Sequence, residues 1–166
     1  MLILMAGALG VFKTGAQTLT NGFDQPGILA LGTTNVYTFY ATNGNAVLLR
    51  VGAPTFRPLL RLLAPNGTQA GLASGASSGS LDAYLETMVL TNGIFSVAVS
   101  SYYGTGSGSY AITQARIPDT FVKAPGDEGG ILINGSANTG VTSLGDMDVW
   151  TFNANTGDAI IARMGG

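Results

Sequence analysis

The sequence predicts an all-β fold built as an antiparallel sandwich, and three observations carry that prediction. Apolar and polar residues alternate in short runs, and Asn-Gly dipeptides punctuate those runs. No window of about eleven residues holds a convincing helical stripe. With 46% apolar residues among 166, the chain can bury a core. The 25 glycines are about twice the usual share of roughly 7% and suit a fold rich in turns.

The chain opens on Met1–Phe12, an apolar stretch with no basic residues ahead of it and too short to cross a membrane as a helix. Three readings of it stand: the remnant of a targeting segment, a buried strand, or an apolar strand offered to a partner. Residues 1–16 are set apart as an N-terminal segment. Further along, Tyr37, Phe39 and Ala41 point one way and Tyr40 the other. Val47, Leu49 and Val51 then share a face, with Arg50 on the opposite side. More strands are expected at Leu59–Leu63, Gln69–Ala73, Tyr84–Leu90, Phe95–Ser100 and Ser109–Thr113. Asn43-Gly44, Asn66-Gly67 and Asn92-Gly93 supply the turns. The Ser/Gly run within Leu72–Leu81 reads as a loop at the sandwich edge. Residues 17–115 thus form one complete sandwich, and residues 116–130, with two prolines and no alternation, form a linker.

Beyond the linker the sequence repeats itself. Residues 145–165, GDMDVWTFNANTGDAIIARMG, match residues 32–52, GTTNVYTFYATNGNAVLLRVG, at a constant offset of 113 residues. The register holds back to Leu132-Ile133-Asn134-Gly135 against Leu19-Thr20-Asn21-Gly22. A fixed period signals repeated structural units. Residues 131–166 supply only the opening strands of the second unit. Its apolar face, carried by Val149, Trp150, Phe152, Ile160 and Met164, therefore needs cover from outside the copy.

Composition excludes much chemistry. The chain has no histidine and no cysteine, which removes zinc sites, His-activated nucleophiles and disulfides. Seven basic and nine acidic residues, scattered singly with a net charge of −2, make no footprint for nucleic acid. Asp82 and Glu86 are the one close carboxylate pair of the complete copy, but nothing in the sequence marks a cleft around them. Neither Lys13 nor Lys123 stands in a Ser-x-x-Lys motif. The loop Gly104–Gly108 runs into a strand, not into a helix, so it does not cradle phosphate. Tyr102 and Tyr103 before it suit either packing or stacking on a sugar ring. Asp127, Glu128, Asp146 and Asp148 could gather around Ca²⁺, which takes six to eight oxygen ligands. Their counterparts in the first copy are Thr14, Gly15, Thr33 and Asn35. The favoured reading is therefore solvated loop carboxylates, with no metal or cofactor assigned and a calcium site in the second copy as the other reading. Asn66-Gly67-Thr68 and Asn134-Gly135-Ser136 match the N-glycosylation pattern, which makes Asn66 and Asn134 candidate glycan acceptors, although Asn-Gly is also an ordinary turn.

Taken together, the motifs resemble the bacterial pre-peptidase C-terminal domain family. The second copy carries Gly145-Asp146-Met147-Asp148-Val149-Trp150-Thr151-Phe152 and Ala154-Asn155-Thr156-Gly157-Asp158. The first carries Pro65-Asn66-Gly67, Gly93-Ile94-Phe95-Ser96-Val97 and Gly108-Ser109-Tyr110. It departs from the pattern at Thr33, Asn35 and Phe95. The resemblance spans residues 17–113, and residues 131–166 in part. It implies a jelly-roll-like sandwich in secreted or surface proteins, an accessory role, and no catalytic residues.

The functional expectation is a non-catalytic structural subunit of an extracellular or cell-surface filament. Such a filament would self-associate by strand complementation, with Leu2, Ile3 and Leu4 donated and the second-copy face receiving them. The alternative is an accessory module of a secreted hydrolase that binds carbohydrate or a protein surface. Neither reading needs a membrane span.

Overall fold

A computed structural model describes residues 16–76 and 81–165. Leu2, Ile3 and Leu4 lie outside the described residues, as does the rest of the apolar opening.

Among the described residues the first copy has nine strands: β1 (Gln17–Thr18), β2 (Gln25–Leu29), β3 (Thr34–Ala41), β4 (Ala46–Gly52), β5 (Pro58–Leu63), β6 (Gln69–Ser74), β7 (Asp82–Met88), β8 (Gly93–Ser101) and β9 (Gly108–Ile117). One sheet runs β1-β3-β8-β5-β6 and the other β2-β9-β4-β7. All neighbours are antiparallel except β1 and β3. This is the expected all-β, jelly-roll-like sandwich.

The pleat predicted from alternation is the pleat observed. Tyr37, Phe39 and Ala41 are buried, as are Val47, Leu49, Val51, Phe95, Val97 and Val99, while Tyr40 is exposed. Phe39 and Phe95 face each other in register and stack with centroids 5.7 Å apart. Burying each such side chain contributes about 1.5–3 kcal/mol. The turn glycines Gly44 and Gly67 adopt φ of 88° and 81°, the left-handed region in which a Cβ is penalised.

Strand β2 is not among the strands that alternation predicts. Its QPGIL sequence carries a proline and a glycine, the residues that normally argue against a strand. It sits at a sheet edge beside β9, where a missing amide donor is tolerated. Gly27 is required there, because a Cβ would strike the Tyr110 ring. That ring is fixed by its hydroxyl, which lies 2.5 Å from the Tyr37 hydroxyl and accepts from Asn35 Nδ2 at 2.7 Å.

The second copy reproduces the local geometry of the first at the same offset. β10 (Gly130–Ile131) pairs parallel with β11 (Trp150–Thr151), as Gln17–Thr18 pairs with Tyr37 and Thr38. The Leu19 amide donates to the Thr38 carbonyl at 2.8 Å, and the Leu132 amide to that of Thr151 at 2.7 Å. The Thr33 amide donates to the Ala30 carbonyl, and the Asp146 amide to that of Ser143. Gly32 and Gly145 have φ of 70° and 84°.

The expectation that residues 131–166 form opening strands as far as Ile160 and Met164 is corrected. Residues 152–165 form no strand, and Phe152, Ile160, Ile161 and Met164 are exposed. In the first copy β4 is held between β7 and β9. Residues 131–166 contain no counterpart of either, so alternation here finds no ladder to complete it.

Candidate functional site

Two clusters of polar side chains stand out among the described residues, one where the second copy meets the first and one at an end of the sandwich.

The first arises because Arg50, predicted to face outward, does so under cover. The outer face of the β4/β9 sheet receives the turn Leu144–Asp146. Gly145 donates its amide to Asp82 Oδ1 at 2.8 Å and accepts from Thr113 Oγ1 at 2.6 Å. Arg50 donates to the Asp146 main-chain oxygen at 2.5 Å and pairs with Asp82 at 2.7 Å. The approach is close enough that both Gly52 and Gly145 are obligatory. A Cβ on Gly52 would collide with the main chain of Leu144 and Gly145. A Cβ on Gly145 would come within 2.6 Å of the Ala111 oxygen and the Gly52 nitrogen. The connector is secured toward the other end of β9. The Asn21 side chain accepts from the Arg116 amide at 2.6 Å and donates to the Thr120 carbonyl at 3.0 Å.

This docking gathers carboxylates. Oxygens of Asp24, Asp127 and Asp146 lie within 4.8 Å of one another, as do those of Asp127, Glu128 and Asp148. Asp146 is not the solvated loop carboxylate expected from the sequence, because its turn is pressed into the sheet and leaves it 3% exposed. Its Oδ2 accepts from the Ser143 amide at 3.3 Å, while its Oδ1 is buried with no hydrogen-bond partner. Asp148 Oδ1 is likewise buried and unpartnered. Burial pushes the Asp24 carboxyl up to about 6, offset in part by the Thr113 hydroxyl and reinforced by Asp146 and Asp127. Burial, with Asp146, Glu128 and Asp127 nearby, also raises Asp148. Sequence reasoning found four of these five groups. It missed Asp24, because the contact exists only once the turn has docked.

The second cluster is aromatic. The Arg57 guanidinium lies 3.7 Å above the centroid of the Tyr102 ring and 5.8 Å from that of Tyr103. The two rings meet edge to face at 4.9 Å. Arg57 is held by the Gly75 carbonyl and by Ser74 Oγ at 3.0 Å, and its own carbonyl accepts from the Tyr102 amide at 2.9 Å. Tyr102 and Tyr103 nonetheless remain 43% and 67% exposed. Arg57 covers one face of Tyr102, and both rings stay partly open to solvent at right angles to each other.

The other candidate residues are scattered. Asp82 is engaged by Arg50 and Gly145, and Glu86 accepts from the Tyr84 hydroxyl at 3.0 Å. Neither is set in a cleft with the other. Asn66 and Asn134 lie on exposed turns, and Asn66 Oδ1 accepts from the Thr68 hydroxyl at 2.7 Å, as an Asn-Gly turn would have it. Val149 and Trp150 are half-buried, whereas Phe152, Ile160 and Met164 face outward.

No family model matches the chain, and no curated relative does. Among solved structures, it is similar to the pre-peptidase C-terminal domain of collagenase from Bacillus anthracis, at 18% identity and a TM-score of 0.50. That match covers 63% of this chain and 99% of that one. It is also similar, at 13% identity and a TM-score of 0.41, to PliG of Aeromonas hydrophila, a periplasmic inhibitor of g-type lysozyme; 60% of this chain and 99% of that one are covered. The first of these likenesses establishes the fold. The chain is an all-β module whose sheets are antiparallel except at β1 and β3 and at β10 and β11, with a jelly-roll-like sandwich as its body.

Proposed function

We propose that this chain is an accessory binding module of a secreted or surface protein, and that it engages polysaccharide through Arg57, Tyr102 and Tyr103. The observation that carries the reading is the exposed tyrosine pair beside an anchored guanidinium. Ring faces suit the apolar C–H face of a sugar, and Arg57 and the tyrosine hydroxyls supply hydrogen bonds at its rim. Pre-ordering of Arg57 by Gly75 and Ser74 lowers the entropy lost on binding. The fold shared with the pre-peptidase C-terminal domain of a collagenase supports a binding role. The test is cosedimentation of the chain with insoluble polysaccharides, with fibrous protein as the comparison. Retention on a polysaccharide that falls at least tenfold in a Tyr102→Ala/Tyr103→Ala double variant supports the reading. Retention on fibrous protein alone, or binding indifferent to the two tyrosines, refutes it.

A second reading, self-association into an extracellular filament, is favoured by one observation. Phe152, Ile160, Ile161 and Met164 leave an apolar surface on the second copy. In this reading the segment containing Leu2, Ile3 and Leu4 covers that surface on a neighbouring copy. Light scattering and electron microscopy of the chain with and without residues 1–12 decide it. A monomer in both cases ends the filament reading.

A further inference from the structure

We propose that the outer face of the β1-β3-β8-β5-β6 sheet, through Arg57 and Arg61, selects a polysaccharide that carries carboxylate groups, a uronate polymer, over a neutral one. The inference rests on the polysaccharide reading above and names the class of sugar.

Arg57 is anchored without being neutralised. Its Nε donates to the Gly75 carbonyl, its Nη2 to Ser74 Oγ at 3.0 Å and its Nη1 to the Tyr103 hydroxyl at 3.4 Å, while its flat face covers the Tyr102 ring. None of these partners bears a charge. A guanidinium has five N–H donors, so one remains on each terminal nitrogen. A carboxylate offers two oxygens and accepts such a pair in a charge-assisted contact at two points. The hydroxyls of a neutral sugar satisfy the donors but leave the charge unmatched.

Arg61 adds a second cation to the same face. Leu60 and Leu62 point into the core, so period two places Arg57, Leu59 and Arg61 together on the outside. Four residues of extended chain separate the two arginines by roughly 13 Å. Leu59 lies between them, flanked across the ladders by Ser100 and Ser74. The cross-strand neighbours of Arg61 are Ala98 and Leu72, which offer it no counter-charge. Among the described residues, neither Arg57 nor Arg61 forms an ion pair.

The rest of the sheet sharpens the contrast. Its five strands contain no Asp or Glu, and Arg61 is their one charged residue. Asp82 and Glu86 stand on β7, in the other sheet. A chain with a net charge of −2 therefore presents one face that is positive, which draws an anionic polymer to that face in preference to the other. Two cations with a leucine and two hydroxyls between them match a polymer whose carboxylates recur along a backbone of C–H faces and hydroxyls.

The experiment is affinity electrophoresis of the full chain through gels holding polygalacturonate or alginate, each beside the same polymer with its carboxyls reduced to alcohols. At least one carboxylated polymer should bind about tenfold more tightly than its reduced form, the scale of two exposed ion contacts. Raising the salt should erase that difference. Arg61→Gln, at an exposed side chain with no hydrogen bond among the described residues, should weaken binding to the carboxylated polymer about threefold. Equal binding to the carboxylated and reduced polymers overturns this proposal and leaves the polysaccharide reading standing. Binding to no polysaccharide overturns both. Carboxylate-dependent binding that ignores Arg61→Gln, or equal retardation by poly-glutamate, which has carboxylates but no sugar, also overturns the proposal.

Discussion

Replacing Gly52 with alanine should undock the second copy while leaving the first sandwich folded. Gly52 ends β4, and its missing Cβ is what lets the main chain of Leu144 and Gly145 lie flat on the sheet. The obstacles are backbone atoms and cannot swing aside as a side-chain tip can. Accommodating such an overlap costs about 1–3 kcal/mol. Three hydrogen bonds hold the turn: Gly145 to Asp82, Thr113 to Gly145, and Arg50 to the Asp146 carbonyl. Those to charged partners are worth about 1.5–3 kcal/mol and the neutral one about 1 kcal/mol, less whatever water returns on release. Undocking therefore becomes easier by about 3 kcal/mol, or about a hundredfold in the open population. The assay is hydrogen exchange at the Gly145 amide, with limited proteolysis across residues 116–165. The core face of β4, with Val47, Leu49 and Val51, is turned away from the change, so the sheet spectrum should persist. Parent-like exchange at Gly145 together with parent-like protease resistance would refute the argument.

Phe39→Ala removes half of the stacked pair with Phe95 and should cost about 3–5 kcal/mol, read as a lower midpoint in denaturant melts. Tyr110→Phe strands the Tyr37 hydroxyl and takes one of two acceptors from Asn35 Nδ2, which keeps the Ile28 carbonyl, and should cost about 1–3 kcal/mol by the same measurement. Burial, foremost, holds both Tyr37 and Tyr110 above the ordinary tyrosine value of 10.0. The unfolded chain thus loses these protons first, so their contribution is intact below pH 10 and lost as the pH climbs further. Tyrosinate absorbance and the sheet spectrum should then change together; ionisation of both groups in a still-folded chain would contradict this. Arg57→Ala should weaken the proposed polysaccharide binding with little effect on stability, because Arg57 packs on exposed rings and not in the core.

Alternation alone determined the sheet faces in the first copy. A strand has period two, so Phe39, Leu49 and Val97 are each assigned inward by the run in which they stand. The repeat was equally legible, since an offset of 113 residues in sequence reappears in the hydrogen bonds of Leu19 and Leu132. Strand β2 was not legible, because its edge position, not its composition, makes Pro26 and Gly27 acceptable. Nor was the fate of Ile160 and Met164: alternation marks a face, but backbone partners decide whether a strand forms. The junction depended most on tertiary structure. Gly52, Arg50, Asp82 and Thr113 carry no shared motif, and Asp24 lies 122 residues from Asp146 in the chain. Only the docked turn brings them together, because the free energy that holds such a joint comes from approach distances that no local pattern records.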